Sequence, residues 1–205
     1  MTRLGMTIDQ KRCIGCNTCV LACKMQNDVP DGFLWNRVLT ENVEKFDDAE
    51  GTYPNLTRDY LPIACQHCDN APCEKACPTG ATYTDEKGRV EIDYDKCIGC
   101  RMCMAACPYN ARSFNWNAPV RSTPGNYGDV RVPERGVGIT EKCTLCKERA
   151  DNGELPMCVL CCPVDARIYG DLDDPESEIS KLNRGEGAYA LLEHMGTEPK
   201  VHYLH

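Results

Sequence analysis

No stretch of the 205-residue sequence approaches the roughly 20 consecutive apolar residues that a membrane-spanning helix requires. Aromatic residues are few, with three Phe and two Trp, and apolar periodicity is weak, so a conventional hydrophobic core is expected to be thin. Positive charge is also scarce. Lys and Arg number 23 against 31 Asp and Glu, for a net charge of -8, a balance opposite to the basic surfaces that nucleic acid selects. There is no Gly-rich phosphate loop, dinucleotide fingerprint or nucleophile motif, so the chain is expected to have no catalytic site of its own. The opening MTRLGMTIDQKRC contains no apolar signal core, and no signal peptide is expected on this chain.

Cysteine, by contrast, is abundant. The chain has 17, far above ordinary usage, and spacing sorts them into four groups. The first is Cys13, Cys16, Cys19 and Cys23; the second is Cys65, Cys68, Cys73 and Cys77; the third is Cys97, Cys100, Cys103 and Cys107. The fourth lies within CTLCKERADNGELPMCVLCCPVDA, residues 143–166, which holds five. Three chemistries compete. Disulfides need an oxidising compartment, and clustered C-x2-C pairs suit sulfur-bound metal better than a disulfide framework. Zinc in four-cysteine sites also uses paired C-x2-C knuckles. Groups one and three, however, read C-x2-C-x2-C-x3-C, and group three continues into Pro108. That run is the bacterial 4Fe–4S pattern, in which the fourth cysteine ligates the other cluster. Three closely spaced thiolates in a loop can wrap one cubane, with backbone N–H groups turned toward its sulfides. The fourth thiolate, expected at the start of a helical turn, faces away. Iron–sulfur is the preferred reading.

The chain repeats itself. IDQKRCIGCNTCVLACK matches IDYDKCIGCRMCMAACP, and ITEKCTLC opens group four in the same way. CPTGATY, CPYNARSF and CPVDARIY all read C-P-x-x-A, with an aromatic residue following within three positions. This echo settles the register of group four. Cys162 precedes the proline, and Cys158 to Cys162 is the C-x3-C step of the other groups. The group is therefore Cys143, Cys146, Cys158 and Cys162, and Cys161 is spare, expected as a small buried apolar residue.

The segments after each C-P-x-x-A, and RVEID at 89–93, read as short strands, with DEKG at 85–88 as a hairpin turn. Helical turns are expected to carry the fourth cysteines. Between the groups lie a possible strand around NRVLTENV (36–43), a turn-rich loop DDAEGTYPNLTRD (47–59) and a Pro-, Gly- and Arg-rich stretch at 115–142. After Asp171 a helix is expected, with Asp174 as N-cap, Pro175 at its first position and Gly185 at its end. AYALL (188–192) reads as a packed helical segment. The tail is expected to lie against a partner, dispensable for the clusters. With so thin a core, metal binding must supply much of the folding free energy.

Taken together, the four groups, their order and spacing resemble the four-cluster electron-transfer (beta) subunit of dimethyl sulfoxide reductase-type molybdopterin oxidoreductases, which include polysulfide, tetrathionate and arsenate reductases. CQHCDNAPCEKACPTGA, with C-x2-C-x4-C-x3-C-P, and the C-x2-C-x11-C-x3-C-P of group four carry the resemblance, which extends over nearly the whole chain. Lys24 departs from it, standing where the other groups have proline. The resemblance implies an α+β fold of two ferredoxin-like lobes holding four 4Fe–4S clusters. Residues 1–60 plus 117–205 would form an outer lobe and 61–116 an inserted one. Sequence logic and the resemblance agree on the pairing, because groups two and three are separated only by a hairpin and should exchange fourth cysteines. The sets are then Cys65, Cys68, Cys73 with Cys107; Cys97, Cys100, Cys103 with Cys77; Cys13, Cys16, Cys19 with Cys162; and Cys143, Cys146, Cys158 with Cys23.

The function so implied is electron transfer between a molybdopterin-containing catalytic subunit, facing the outer lobe, and a quinone-reactive membrane subunit or other redox partner. A free polyferredoxin serving several enzymes is the alternative, and a zinc-stabilised binding module a third class. The expected location is the outer face of the cytoplasmic membrane, reached by co-export with a signal-bearing partner, or else the cytoplasm. His67 is read as a hydrogen-bond donor to sulfur. Arg101 and Arg112 are read either as charges that raise a nearby potential or as solvated or partner-facing residues. Trp35 and Trp116 are read as packing or interface residues.

Overall fold

In the computed structural model the described residues are 2–40, 49–120 and 128–205. β1 (Leu4–Asp9) leads into the first cysteine loop, and α1 (Thr18–Gln26) carries Cys19 and Cys23. β2 (Arg37–Thr40), β3 (Glu50–Thr52), β4 (Asn55–Thr57) and β5 (Tyr60–Ile63) follow. The second and third groups lie among α2 (Pro72–Lys75), β6 (Thr82–Thr84), β7 (Val90–Ile92), α3 (Met102–Ala105) and β8 (Arg112–Phe114). The fourth lies among β9 (Thr140–Lys142), α4 (Lys147–Ala150), α5 (Met157–Leu160) and β10 (Arg167–Asp171). Then come α6 (Glu178–Asn183), β11 (Ala188–Ala190), a 3₁₀ turn at Glu193–Met195 and β12 (Val201–Leu204).

The largest sheet runs in the order β10-β1-β12-β11. β1 is antiparallel to β10, with Met6 opposite Tyr169, so the strand entering group one lies beside the strand leaving group four. β6 and β7 form the hairpin between groups two and three, with Tyr83 opposite Glu91. Its turn is closed by the Gly88 N–H on the Asp85 carbonyl at 3.0 Å, as DEKG implied. β8 pairs with β9, Arg112 opposite Lys142, and so joins the exit of group three to the entry of group four.

Each cysteine loop has a left-handed residue at the third position of its first C-x-x-C step. These are Gly15 (φ 67°), His67 (44°), Gly99 (67°) and Leu145 (52°). Glycine adopts this conformation freely; His67 and Leu145 adopt it at a steric cost. The C-P-x-x-A exits share a second such residue, at Gly80, Asn110 and Asp165. Each donates its N–H to the carbonyl of the fourth cysteine, at 3.4, 3.3 and 3.4 Å. Gly, Asn and Asp are the residues that tolerate this geometry best.

The structure alters several expectations. In groups two to four the helical turn carries the third cysteine (Cys73, Cys103, Cys158), and the fourth follows its end. Proline after the fourth cysteine disfavours helix at the residue before it. Where Lys24 replaces that proline, α1 runs on to Gln26 and carries both Cys19 and Cys23. The cap of α6 is Ser177, whose hydroxyl accepts the Ser180 N–H at 3.2 Å. Asp174 instead closes a turn of its own through the Glu176 N–H at 2.9 Å, so the helix starts later than expected and ends before Gly185. AYALL contains β11 rather than a helix, because Ala188–Ala190 pairs with β12. Within the turn-rich stretch, β3 and β4 pair as a hairpin; Asp47 and Asp48 lie outside the described residues. The strand expected at 36–43 is present as Arg37–Thr40, while 41–43 lie outside the described residues, as do 121–127 of the stretch at 115–142.

The core is built around sulfur. One buried cluster gathers Cys65, Cys68, Cys73 and Cys103 with Val90, Tyr109, Ala71 and Ala111. Another joins Cys23 to Val29 and Trp35. A third, of Met6, Ile8, Leu145, Val201 and Tyr203, lies along the large sheet.

Candidate metal centres

Cys65, Cys68, Cys73 and Cys107 line one cavity, with Val90 and Arg112 completing its wall. Cys65 enters from β5, Cys73 sits in α2, and Cys107 arrives from beyond α3, so three thiols of group two meet the last thiol of group three. A second cavity is lined by Cys143, Cys146, Cys158 and Cys23, together with Met6, Ile8 and Arg167. Here three thiols of group four meet the last of group one, because α1 packs on α5. Cys65 also reaches the wall of the second cavity, so the two adjoin.

The other two sets lie nearer the surface. Cys13 has Cys19 and Cys162 among its electrostatic neighbours, while Cys16 is exposed at their rim. For Cys97, Cys100, Cys103 and Cys77, the packing of α2 on α3 brings the segments together. Cys103 is buried and Cys100 exposed. Cys161 caps the end of α5, partly buried, beside Cys158, Cys19 and Cys162.

The enclosed thiols resist ionisation. Burial, then the neighbouring Cys65, pushes the Cys68 thiol up to about 12. Burial and Cys158 push Cys146 up to about 12, and burial with Cys143, Cys146 and Cys158 holds Cys23 well above its usual value. Such a set keeps its protons unless a cationic centre displaces them, which is how thiolate-bound metal couples to proton release. Two less enclosed thiols, Cys16 and Cys77, are shifted the other way. Burial pushes Cys77 up, but hydrogen bonds from the Thr82, Thr79 and Ala81 backbone and the Thr79 hydroxyl outweigh this and bring it to about 7. Backbone N–H groups also point at sulfur from Leu145 to Cys143 (3.4 Å) and Ala166 to Cys162 (3.3 Å). Among the described residues no three His, Cys, Asp or Glu side chains converge closely enough to hold a single metal ion. A thiol-lined cavity with inward N–H donors fits a sulfide-containing cubane.

Two arginines complete the site, and Arg167 was not foreseen. Arg112 and Arg167 are each 5 % exposed and stand in the same place in the repeat, directly after the alanine of C-P-x-x-A. Nη1 of Arg112 donates to Thr82 Oγ1 at 3.2 Å, and Nη2 of Arg167 to Asn36 Oδ1 at 3.0 Å. Burial pushes each guanidinium's pKa down, but the facing cysteines outweigh it. The shared AR step of CPYNAR and CPVDAR was the available signal.

Other expectations resolve differently. His67 is fully buried, and its Nδ1 accepts the Val90 N–H at 3.1 Å, a backbone bond where one to sulfur was expected. Burial, then Lys142, Lys200 and Arg89, holds its pKa well below the usual imidazole value, so it is neutral. Arg101 stacks over Trp116 at 4.3 Å on the surface. Trp35 is buried against Val29 and Cys23, a packing residue as read.

The sequence matches two families, each described as "4Fe-4S dicluster domain", one over residues 56–123 and 127–172 and the other over 12–81. A protein of Halobacterium salinarum named for the iron–sulfur subunit of a dimethyl sulfoxide reductase is 52 % identical across the whole chain, which covers 79 % of that relative. A selenate reductase subunit from Mesobacillus selenatarsenatis is 42 % identical over 97 % of the chain and 70 % of its own length. The iron–sulfur subunit of an arsenate respiratory reductase from a Shewanella species is 39 % identical over 98 % of the chain and 96 % of its own length.

Proposed function

Because the chain belongs to the 4Fe–4S dicluster family of reductase iron–sulfur subunits, we propose that it transfers electrons between a molybdopterin-containing catalytic subunit and a quinone-linked membrane subunit or other redox partner. Its cofactor is the 4Fe–4S cluster, and its cysteines suffice for four. When bound, each cluster supplies a one-electron carrier whose potential is set by charge, hydrogen bonds and exposure. The substrate chemistry belongs to the catalytic partner.

One observation carries the reading: the cysteine sets adjoin in series. Cys19 neighbours Cys158, which links the set of Cys13, Cys16, Cys19 and Cys162 to that of Cys143, Cys146, Cys158 and Cys23. Cys143 neighbours Cys65, which links the latter to Cys65, Cys68, Cys73 and Cys107. Arg112 faces both Cys73 and Cys103, beside the last set, Cys97, Cys100, Cys103 and Cys77. These neighbours support a reading in which four sites follow one another, with partly exposed sets at both ends.

On this reading residues 1–60 plus 117–205 form the outer lobe and 61–116 the inserted lobe. The pairing of β1 with β10 and β12 supports the first, and the β6–β7 hairpin the second. The outer lobe faces the catalytic subunit and the inserted lobe the electron-exchanging partner. Among the described residues no helix is long and apolar enough to cross a membrane, so the membrane connection runs through that partner. On this reading the complex lies on the outer face of the cytoplasmic membrane, with the cytoplasm as the alternative.

Anaerobically purified complex should contain about 16 iron and 16 acid-labile sulfide per chain, from four cubanes, and should co-purify with a large catalytic chain. Isolation of a cluster-loaded monomer would favour the free polyferredoxin. Zinc without iron would overturn the reading. Protease accessibility in spheroplasts tests the location.

A further inference from the structure

The two buried arginines differ from the other buried guanidiniums of the molecule. Arg89 is paired with Asp85 at 2.8 Å and Asp151 at 2.9 Å, and Arg135 with Glu141 at 3.4 Å. Arg112 and Arg167 have no carboxylate partner among the described residues: one bonds to Thr82 Oγ1 and the Cys73 sulfur, the other to Asn36 Oδ1, Met6 Sδ and the Cys158 sulfur. Nη2 of Arg112 has no hydrogen-bond partner at all. A buried charge without a counter-charge is costly. The groups that can supply the counter-charge are the thiolates. Arg112 lines the cavity of Cys65, Cys68, Cys73 and Cys107 and also faces Cys103 of the neighbouring set. Arg167 lines the cavity of Cys23, Cys143, Cys146 and Cys158 and also faces Cys19 and Cys13.

We propose that Arg112 and Arg167 are positioning residues for charge, each standing between the two cysteine sets of one lobe and raising the reduction potentials of both. The other halves of the repeat carry Thr82 and Asp28 at the matching place, so each lobe receives one such cation, shared between its two sets. A fixed positive charge in a low-dielectric interior favours the more negative, reduced state of whatever the thiolates bind. Because a guanidinium stays protonated at all accessible pH, this contribution does not titrate. The inference rests on the four-cluster reading.

The test is an EPR-monitored redox titration of the purified complex carrying Arg167→Gln, Arg167→Lys, Arg112→Gln or Arg112→Lys, with iron measured on each sample. Each Gln variant should keep its iron and shift the two couples of its own lobe downward. At a fixed poise the reduced-to-oxidised ratio should fall about tenfold or more, equivalent to ~59 mV or more for a one-electron couple. The couples of the other lobe should not move. The Lys variants should retain most of the wild-type potential. If a Gln variant loses iron while its Lys counterpart keeps wild-type couples, the need for charge at that place is upheld. Unchanged potentials with full iron would overturn the proposal, as would Gln and Lys variants that shift alike or lose iron alike. Wild-type complex without 4Fe–4S signals would instead overturn the cluster reading on which it rests.

Discussion

Val201 lies beside Met6 in parallel register, which makes the last strand an interior one, flanked by β1 and β11. Val201 and Tyr203 are buried, and the Tyr203 hydroxyl donates to the Pro62 carbonyl at 2.9 Å. The tail is thus part of the sheet that brings groups one and four together, and it cannot be the dispensable partner-binding extension that its sequence suggests. Each large apolar side chain lost with it costs about 2 kcal/mol, against a total stability of about 5–15 kcal/mol. Deletion of residues 197–205 should abolish folding or strip iron from the outer lobe, measurable as lost iron and a lost cooperative melt. Full iron in the truncated chain would refute this.

The adjacent Cys161 and Cys162 should behave oppositely. Cys162 accepts the Ala166 N–H and neighbours Cys13. Burial, then Cys158 and Cys19, pushes the Cys161 thiol up to about 11, so it stays protonated at neutral pH. Cys161→Ala should keep all the iron and cost about 1 kcal/mol or less. Cys162→Ala should lose the cluster that Cys13, Cys16 and Cys19 share. Iron content and low-temperature EPR on matched preparations decide the register.

Cys100 is exposed in its loop, next to left-handed Arg101. Its thiolate is the most accessible of its set. Cys100→Ser should therefore yield a 3Fe–4S signal in the oxidised EPR spectrum and lose about one iron. Full iron, an unchanged oxidised spectrum and an unchanged potential together would count against Cys100 as a ligand.

Glu91 gives a pH prediction. Burial, opposed by Lys142, Lys147 and Arg89, raises its carboxyl to about 7. A folded-state value above the unfolded one means that the folded state binds more protons in the interval between them. Its contribution to stability is therefore fully present below about 4.5 and is lost as pH rises through about 7. Glu91→Gln removes that slope. The difference in melting temperature between variant and wild type should grow in favour of the variant as pH rises from 5 to 7. A constant difference would show that Glu91 does not titrate there.

Ligand spacing is local, so the sequence alone suggests a cysteine register, and the C-P-x-x-A echo located the three exit strands for the same reason. What escaped notice depends on distant partners. VHYL has too few residues to declare itself a strand, and only β1 and β11 make it one. AYALL is equally ambiguous until β12 lies beside it. Ser177 outcompetes Asp174 as a cap because its hydroxyl, unlike that carboxylate, reaches the Ser180 N–H. Arginine in sequence reads as surface, so the burial of Arg167 was hidden until sulfur surrounded it.

The pairing of β8 with β9 has one more consequence. Arg112 opposite Lys142 and Phe114 opposite Thr140 lace the exit of the third cysteine group to the entry of the fourth. The Asn115 N–H, donating to the Ile139 carbonyl at 3.0 Å, extends the seam. This seam stitches the two halves together beside the place where, on the proposed reading, an electron would cross from Cys65 to Cys143. Passage through the chain is then expected to be independent of solvent viscosity, which electron-transfer rates measured in glycerol would check.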